Sequence, residues 1–230
     1  MAAVSICHGH VAVAACAHEI SNAQKISARI ANEWALRPSQ DRQTRYVQKI
    51  ADQLIPAIKL NMESRNLNWP SKNRWRFLLI RDLAVNAYSA GNGQVYMTDG
   101  VYSFADSEAE LAAIIAHEMA HELIGHFCQH DERLATHSIG SFTQVIDNTK
   151  ELEADALAVE ILQHAEFPPQ AMLTVVKKLP VPQAGINNQR NLRIKALQHQ
   201  LRHAGTVPFI ASPEFIHIKQ ETVSGNTLHK

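Results

Sequence analysis

The residues with the most chemical content sit together: His117-Glu118-Met119-Ala120-His121, two histidines four apart with a glutamate between them. On a helix, positions i and i+4 share a face, so both imidazoles point the same way, and H-E-x-x-H is the spacing of two zinc ligands. Leu111, Ile114, Ile115, Met119, Leu123, Ile124 and Phe127 run all the way round this helix, which predicts that it is buried on nearly every side. Ionisable groups are costly in such a place unless they are paired or bind a metal, and zinc compensates two neutral imidazoles.

A catalytic zinc takes three protein ligands and leaves its fourth position for water. Downstream lies Glu151-Leu152-Glu153-Ala154-Asp155. Glu151 and Asp155 share a helix face, so Glu151 is expected as the third ligand of one zinc per chain. Asp155 is then expected to accept the N–H of a ligand histidine and fix its tautomer. Glu153, about 200° round the helix from Glu151, is expected to point away. Small residues Ala154, Ala156 and Ala158 allow the two helices a close approach. His126 and His130 fall about 180° and 220° round the same helix from His117 and are expected not to reach the same metal.

These residues need elements to hold them. Ile26, Ile30, Trp34, then Val47, Ile50, Leu54 and Ile58 recur at helical steps with a break at Pro38, predicting two helices within 21–66. Strands are expected at 75–82 and 93–98, the second after a Gly-Asn-Gly turn. Ser107 with Glu110 three residues on is a capping-box signature, opening a helix over 107–130. Further helices are expected at 149–165, from Pro168-Pro169 through 179, and at 189–203, the last closed by Gly205. The fold class expected is α+β, mostly helical, with a small antiparallel sheet beside the zinc-binding helix.

At 230 residues, with 46% hydrophobic and 19% charged residues, the chain is sized and composed for one domain with a real core, and disordered or collagenous classes drop out. Lys+Arg 22 against Asp+Glu 22 leaves no net charge, so there is no broad basic field and nucleic acid is excluded as a partner. No apolar run reaches the length of a membrane span. Cys7, Cys16 and Cys128 are too few for a disulfide scaffold or a four-thiolate zinc site, and Cys128 is expected as a small core residue. His8, His10 and His18 are expected at the surface.

Asn86-Ala87-Tyr88, Val95-Tyr96-Met97-Thr98-Asp99-Gly100, the run 110–121 ending in the H-E-x-x-H, and Glu151-x-x-x-Asp155 together resemble the peptidase domain of the HtpX, BepA, YggG and CAAX-prenyl-protease-type zinc metallopeptidases. The resemblance covers residues 45–200 and is to the soluble members. It implies a zincin-like (gluzincin) fold and a zinc endopeptidase with Glu118 as general base, and it places an extended substrate strand along the edge near Asn86-Ala87. Family members often carry His-Pro a few residues before Arg-Ile in the last helix. Here Arg193-Ile194 is present but the earlier pair reads Asn187-Asn188, leaving Arg193 as the candidate oxyanion stabiliser.

The expected function is zinc-dependent hydrolysis of internal bonds in unfolded or extended polypeptides, as quality control of damaged or misfolded proteins. The alternative is a proteolytically weak, chaperone-like module using the same groove. Val13-Ala14-Ala15-Cys16 resembles a lipobox, although no Lys or Arg precedes it. Residues 1–20 are therefore expected as a leader, with Cys16 as the place for a lipid anchor and a periplasmic or cell-envelope location. The peptidase domain is expected over 21–205 and a C-terminal tail over 206–230.

Overall fold

The computed structural model describes residues 13–14, 16–62, 65, 67–70, 74–128, 148–179, 184–205 and 210–227. Two long helices come first, α1 (Ala17–Glu33) and α2 (Arg42–Met62), separated by the segment containing Pro38 as the apolar spacing predicts. A short parallel ladder joins β1 (Val13–Ala14) to β2 (Asn68–Trp69). The main sheet has β3 (Arg76–Ile80), β4 (Ala87–Gly91) and β5 (Gln94–Thr98) in the order β3-β5-β4. It is α+β as expected, but the sheet is mixed rather than antiparallel: β3 runs parallel to β5, and β4 antiparallel to it. After β3 the chain crosses first to the far edge and returns through Gly91-Asn92-Gly93, all three at positive φ. That tight hairpin slots β5 between the other two.

Next come α3 (Gly100–Phe104) and the central helix α4 (Glu108–Leu123). Leu111, Ile115, Met119 and Leu123 are fully buried, so α4 is the core of the domain. It packs along α5 (Asn148–His164) and touches α2, β4 and α6 (Gln170–Lys178). Its start follows the capping signature only in part. Ser107 Oγ accepts the Glu110 N–H, but the Glu110 carboxylate takes the N–H of Asp106 and the Lys178 ammonium. The chain closes with α7 (Ala184–Gln200) and α8 (Pro213–Thr227).

Two expectations change. The helix expected over 107–130 stops at Leu123. Gly125 sits at φ 82°, its N–H donates to Glu122 C=O, and the His126 N–H reaches back to His121 C=O, the paired closure of a Schellman motif that favours glycine at this place. His130 lies outside the described residues. Within the span expected as a leader α1 begins at Ala17, with Glu19 and Ala23 buried, and within the span expected as a tail α8 sends Phe215 and Ile218 into the core. Finally, Cys16 and Cys128 form a disulfide across 112 residues. A sulfur committed to that bond cannot carry a lipid thioether, so the anchor expected at Cys16 is withdrawn, and Cys128 is a cross-link rather than a simple core filler.

Candidate metal centre

Two helices build the site. α4 presents His117, Glu118 and His121, and α5 meets it with Glu151 and Asp155. The alanines let the backbones close in: Ala116 and Ala120 on α4 and Ala154 and Ala158 on α5 are all fully buried. Burying groups this polar is tolerable only because they satisfy one another.

Three ligand atoms converge. His117 Nε2 and His121 Nε2 are 3.1 Å apart, His117 Nε2 is 3.4 Å from Glu151 Oε2, and His121 Nε2 is 3.3 Å from Glu151 Oε1. Ligands at the usual zinc bond lengths of about 2.0–2.1 Å in a tetrahedron lie about 3.3 Å from one another. The donor set, two imidazoles and one carboxylate converging on one point, therefore fits a tetrahedral metal with one position left over.

Around these atoms stands a ring of partners. His117 Nδ1 lies 3.0 Å from Asp155 Oδ1. Arg193, from α7, donates through Nε and Nη2 to the two Asp155 oxygens at 2.7 Å each, and its Nη1 is 2.8 Å from Glu151 Oε2. The guanidinium is thus turned onto the carboxylates of the site. Burial opposes charge on His117, but the Asp155 and Glu151 carboxylates outweigh it and push the imidazole up to about 10. Burial likewise works against ionised Glu151 and Asp155, yet His117 with His121, and His117 with Arg193, hold them below the usual carboxylate range. Without metal the cluster is an ion-pair network; a metal ion must displace the His117 proton to enter.

Glu118 faces the sheet: its Oε2 accepts the N–H of Ser89 on the edge strand β4 at 2.8 Å. One turn on, the buried Glu122 carboxylate accepts the Gly93 N–H and the Ser89 hydroxyl. The two glutamates thereby fasten β4 and its hairpin to α4.

The sequence reading missed two side chains. The Gly125 turn swings His126 back, so that its Nδ1 lies 2.9 Å from His121 Nδ1, while its Nε2 is 3.1 Å from Glu153 Oε2. Burial, with His121 beside it, lowers His126 to about 4. Glu153 does point away from the ligand atoms, but toward this second histidine. The signal was Gly125, a helix stop in the middle of an apolar pattern.

A helix bearing H-E-x-x-H, packed between an edge strand and a helix that returns an acid to it, matches the arrangement that the motif predicts for a metal-binding helix. Residues 41–146 match the family model described as Peptidase family M48. The chain is similar to the Beta-barrel assembly-enhancing protease of Escherichia coli (strain K12), 26% identical over 139 residues, 47% of this chain and 28% of that one. It is similar also to the Putative beta-barrel assembly-enhancing protease of Vibrio cholerae, 37% identical over 67 residues, 29% of this chain and 14% of that one. The Mitochondrial metalloendopeptidase OMA1 of Schizosaccharomyces pombe is 24% identical over 166 residues, 62% of this chain and 45% of that protein. The chain therefore spans less than half the length of each of these relatives. No helix among the described residues is long and apolar enough to cross a membrane.

Proposed function

We propose that this protein is a zinc endopeptidase that cuts internal bonds of extended, damaged or misfolded polypeptides, serving protein quality control in the periplasm or cell envelope. The observation that carries the reading is the convergence of His117 Nε2, His121 Nε2 and the Glu151 carboxylate beside Glu118. Zinc held there supplies a Lewis acid for the scissile carbonyl and lowers the pKa of water. Glu118 does the proton work. With Oε2 held by the Ser89 N–H, Oε1 takes the proton of the attacking water and passes it to the departing amine. Arg193 keeps Asp155 and Glu151 in place, and Asp155 in turn orients His117. β4, the open edge of the sheet, offers its backbone to an extended chain. The relatives' names support proteolysis, and one of them endopeptidase action. The Cys16–Cys128 disulfide supports an oxidising compartment.

The test is Glu118→Gln against an unfolded casein-like substrate. We expect one zinc per chain in both proteins and hydrolysis only in the wild type. Hydrolysis by Glu118→Gln refutes the mechanism, and wild type without stoichiometric zinc refutes the cofactor.

A further inference from the structure

We propose that His126 and Glu153 are positioning residues for the His121 ligand, holding its ring and its tautomer through a Glu153–His126–His121 relay. The inference rests on reading His117, His121 and Glu151 as a zinc site and deepens it.

The argument is one of proton placement. His121 turns Nε2 toward His117 Nε2 and Glu151 Oε1, so Nε2 is the ligating nitrogen and must be unprotonated. A neutral imidazole then carries its proton on Nδ1. That Nδ1 lies 2.9 Å from His126 Nδ1. Two facing nitrogens can make a hydrogen bond only if one of them lacks a proton, so His126 Nδ1 must accept. The His126 proton therefore sits on Nε2, 3.1 Å from Glu153 Oε2, an oxygen that as carboxylate can only accept. Each link fixes the next, and the directions agree along the whole chain. A metal-ligating histidine usually gives its second N–H to such a partner. His117 has Asp155 within reach of Nδ1, whereas His121 has His126, itself backed by an acid.

The fold holds His126 there from several sides. The Schellman closure reaches back through its own N–H to His121 C=O, Lys150 Nζ donates to its C=O, and two residues on Cys128 is tied to Cys16. His126 is buried, at 2% exposure.

The test compares the full-length wild type with His126→Asn, His126→Leu and Glu153→Ala. The Asn Oδ1 stands where the imidazole Nδ1 was and still accepts; Leu cannot. Zinc affinity is measured by chelator competition and folding by thermal unfolding of the metal-free proteins. We expect His126→Leu to bind zinc about 10–100-fold more weakly, His126→Asn to recover to within a few-fold of wild type, and Glu153→Ala to fall between. Wild-type affinity in His126→Leu overturns the proposal, as does equal loss in both His126 variants with matching losses of melting temperature. Should the variants not fold, imidazole 15N spectra of the zinc-loaded wild type decide: a proton on His121 Nδ1 and on His126 Nε2 supports the relay, and a proton on His126 Nδ1 overturns it. A wild type that binds no zinc refutes both this and the parent reading. A wild type that binds zinc without hydrolysing peptide refutes the peptidase reading alone, and the affinity order still judges the relay.

Discussion

Gly125→Ala tests the turn on which much of the site depends. Gly125 has φ 82°, and a Cβ added there would meet nothing nearer than Asn68 Cβ at 3.9 Å, an ordinary contact. Steric clash with neighbours therefore contributes nothing, and the cost is that of forcing an L-residue into the left-handed region, about 1–2 kcal/mol. For a chain of this size each kcal/mol moves the midpoint by about 2–4 °C, so the loss should be about 2–8 °C. Gly225→Ala is the control of opposite sign. Gly225 is exposed within α8, with no positive φ and open space where a Cβ would stand; alanine there should gain up to about 1 kcal/mol. Gly125→Asn should recover part of the loss, since Asn visits the left-handed region more readily. Calorimetry of the three variants is sufficient. Gly125→Ala at or above the wild-type midpoint, or the two alanines moving it the same way, would refute the reasoning.

Arg193→Ala should cost the metal-free protein about 3–5 kcal/mol in denaturant unfolding, because it removes the guanidinium that bridges the buried Asp155 and the partly buried Glu151 and leaves both carboxylates to the ligand histidines alone; a loss below about 1 kcal/mol would show the carboxylates are not held as charges. Thiol titration of the denatured, unreduced chain should find one thiol, and three after reduction, because one disulfide takes two of the three cysteines; three before reduction would exclude the cross-link. Burial, then the Glu19 carboxylate, push Glu122 from 4.5 up to about 8. The folded chain thus holds a proton that the unfolded chain has released, and this group's share of stability falls as pH rises from about 4.5 to 8. Glu122→Gln should remove that slope, read from unfolding free energies at several pH values, and an unchanged slope would mean that Glu122 is ionised in the fold throughout.

What could be read in the sequence was whatever local spacing decides. Four residues apart on one helix is enough to co-locate His117 with His121 and Glu151 with Asp155, and the apolar girdle of α4 marked it as central before any contact was known. Strand β4 was not readable: Ala87-Tyr88-Ser89-Ala90-Gly91 carries no β-branched residue and no alternation, and it is a strand because β5, Glu118 and Glu122 hold it. The end of α4 was announced by Gly125, but Phe127 prolonged the apolar pattern past it. The contacts of His126 with Glu153, of Cys16 with Cys128, and of Arg193 with Asp155 join residues 27 to 112 positions apart, and no periodicity reports on them.

The candidate metal centre is divided between two stretches of chain: His117, His121 and His126 come from the first, and Glu151, Glu153, Asp155 and Arg193 from the second. Each histidine finds its acid only when the later helices have docked. A chain interrupted between residues 128 and 148 would carry two histidines and no third ligand, too few for firm metal binding. Metal uptake is then a coincidence detector for completed folding. By mass action the ion also stabilises the joined state over the parted one, so the proposed peptidase would arm itself only once both stretches have docked.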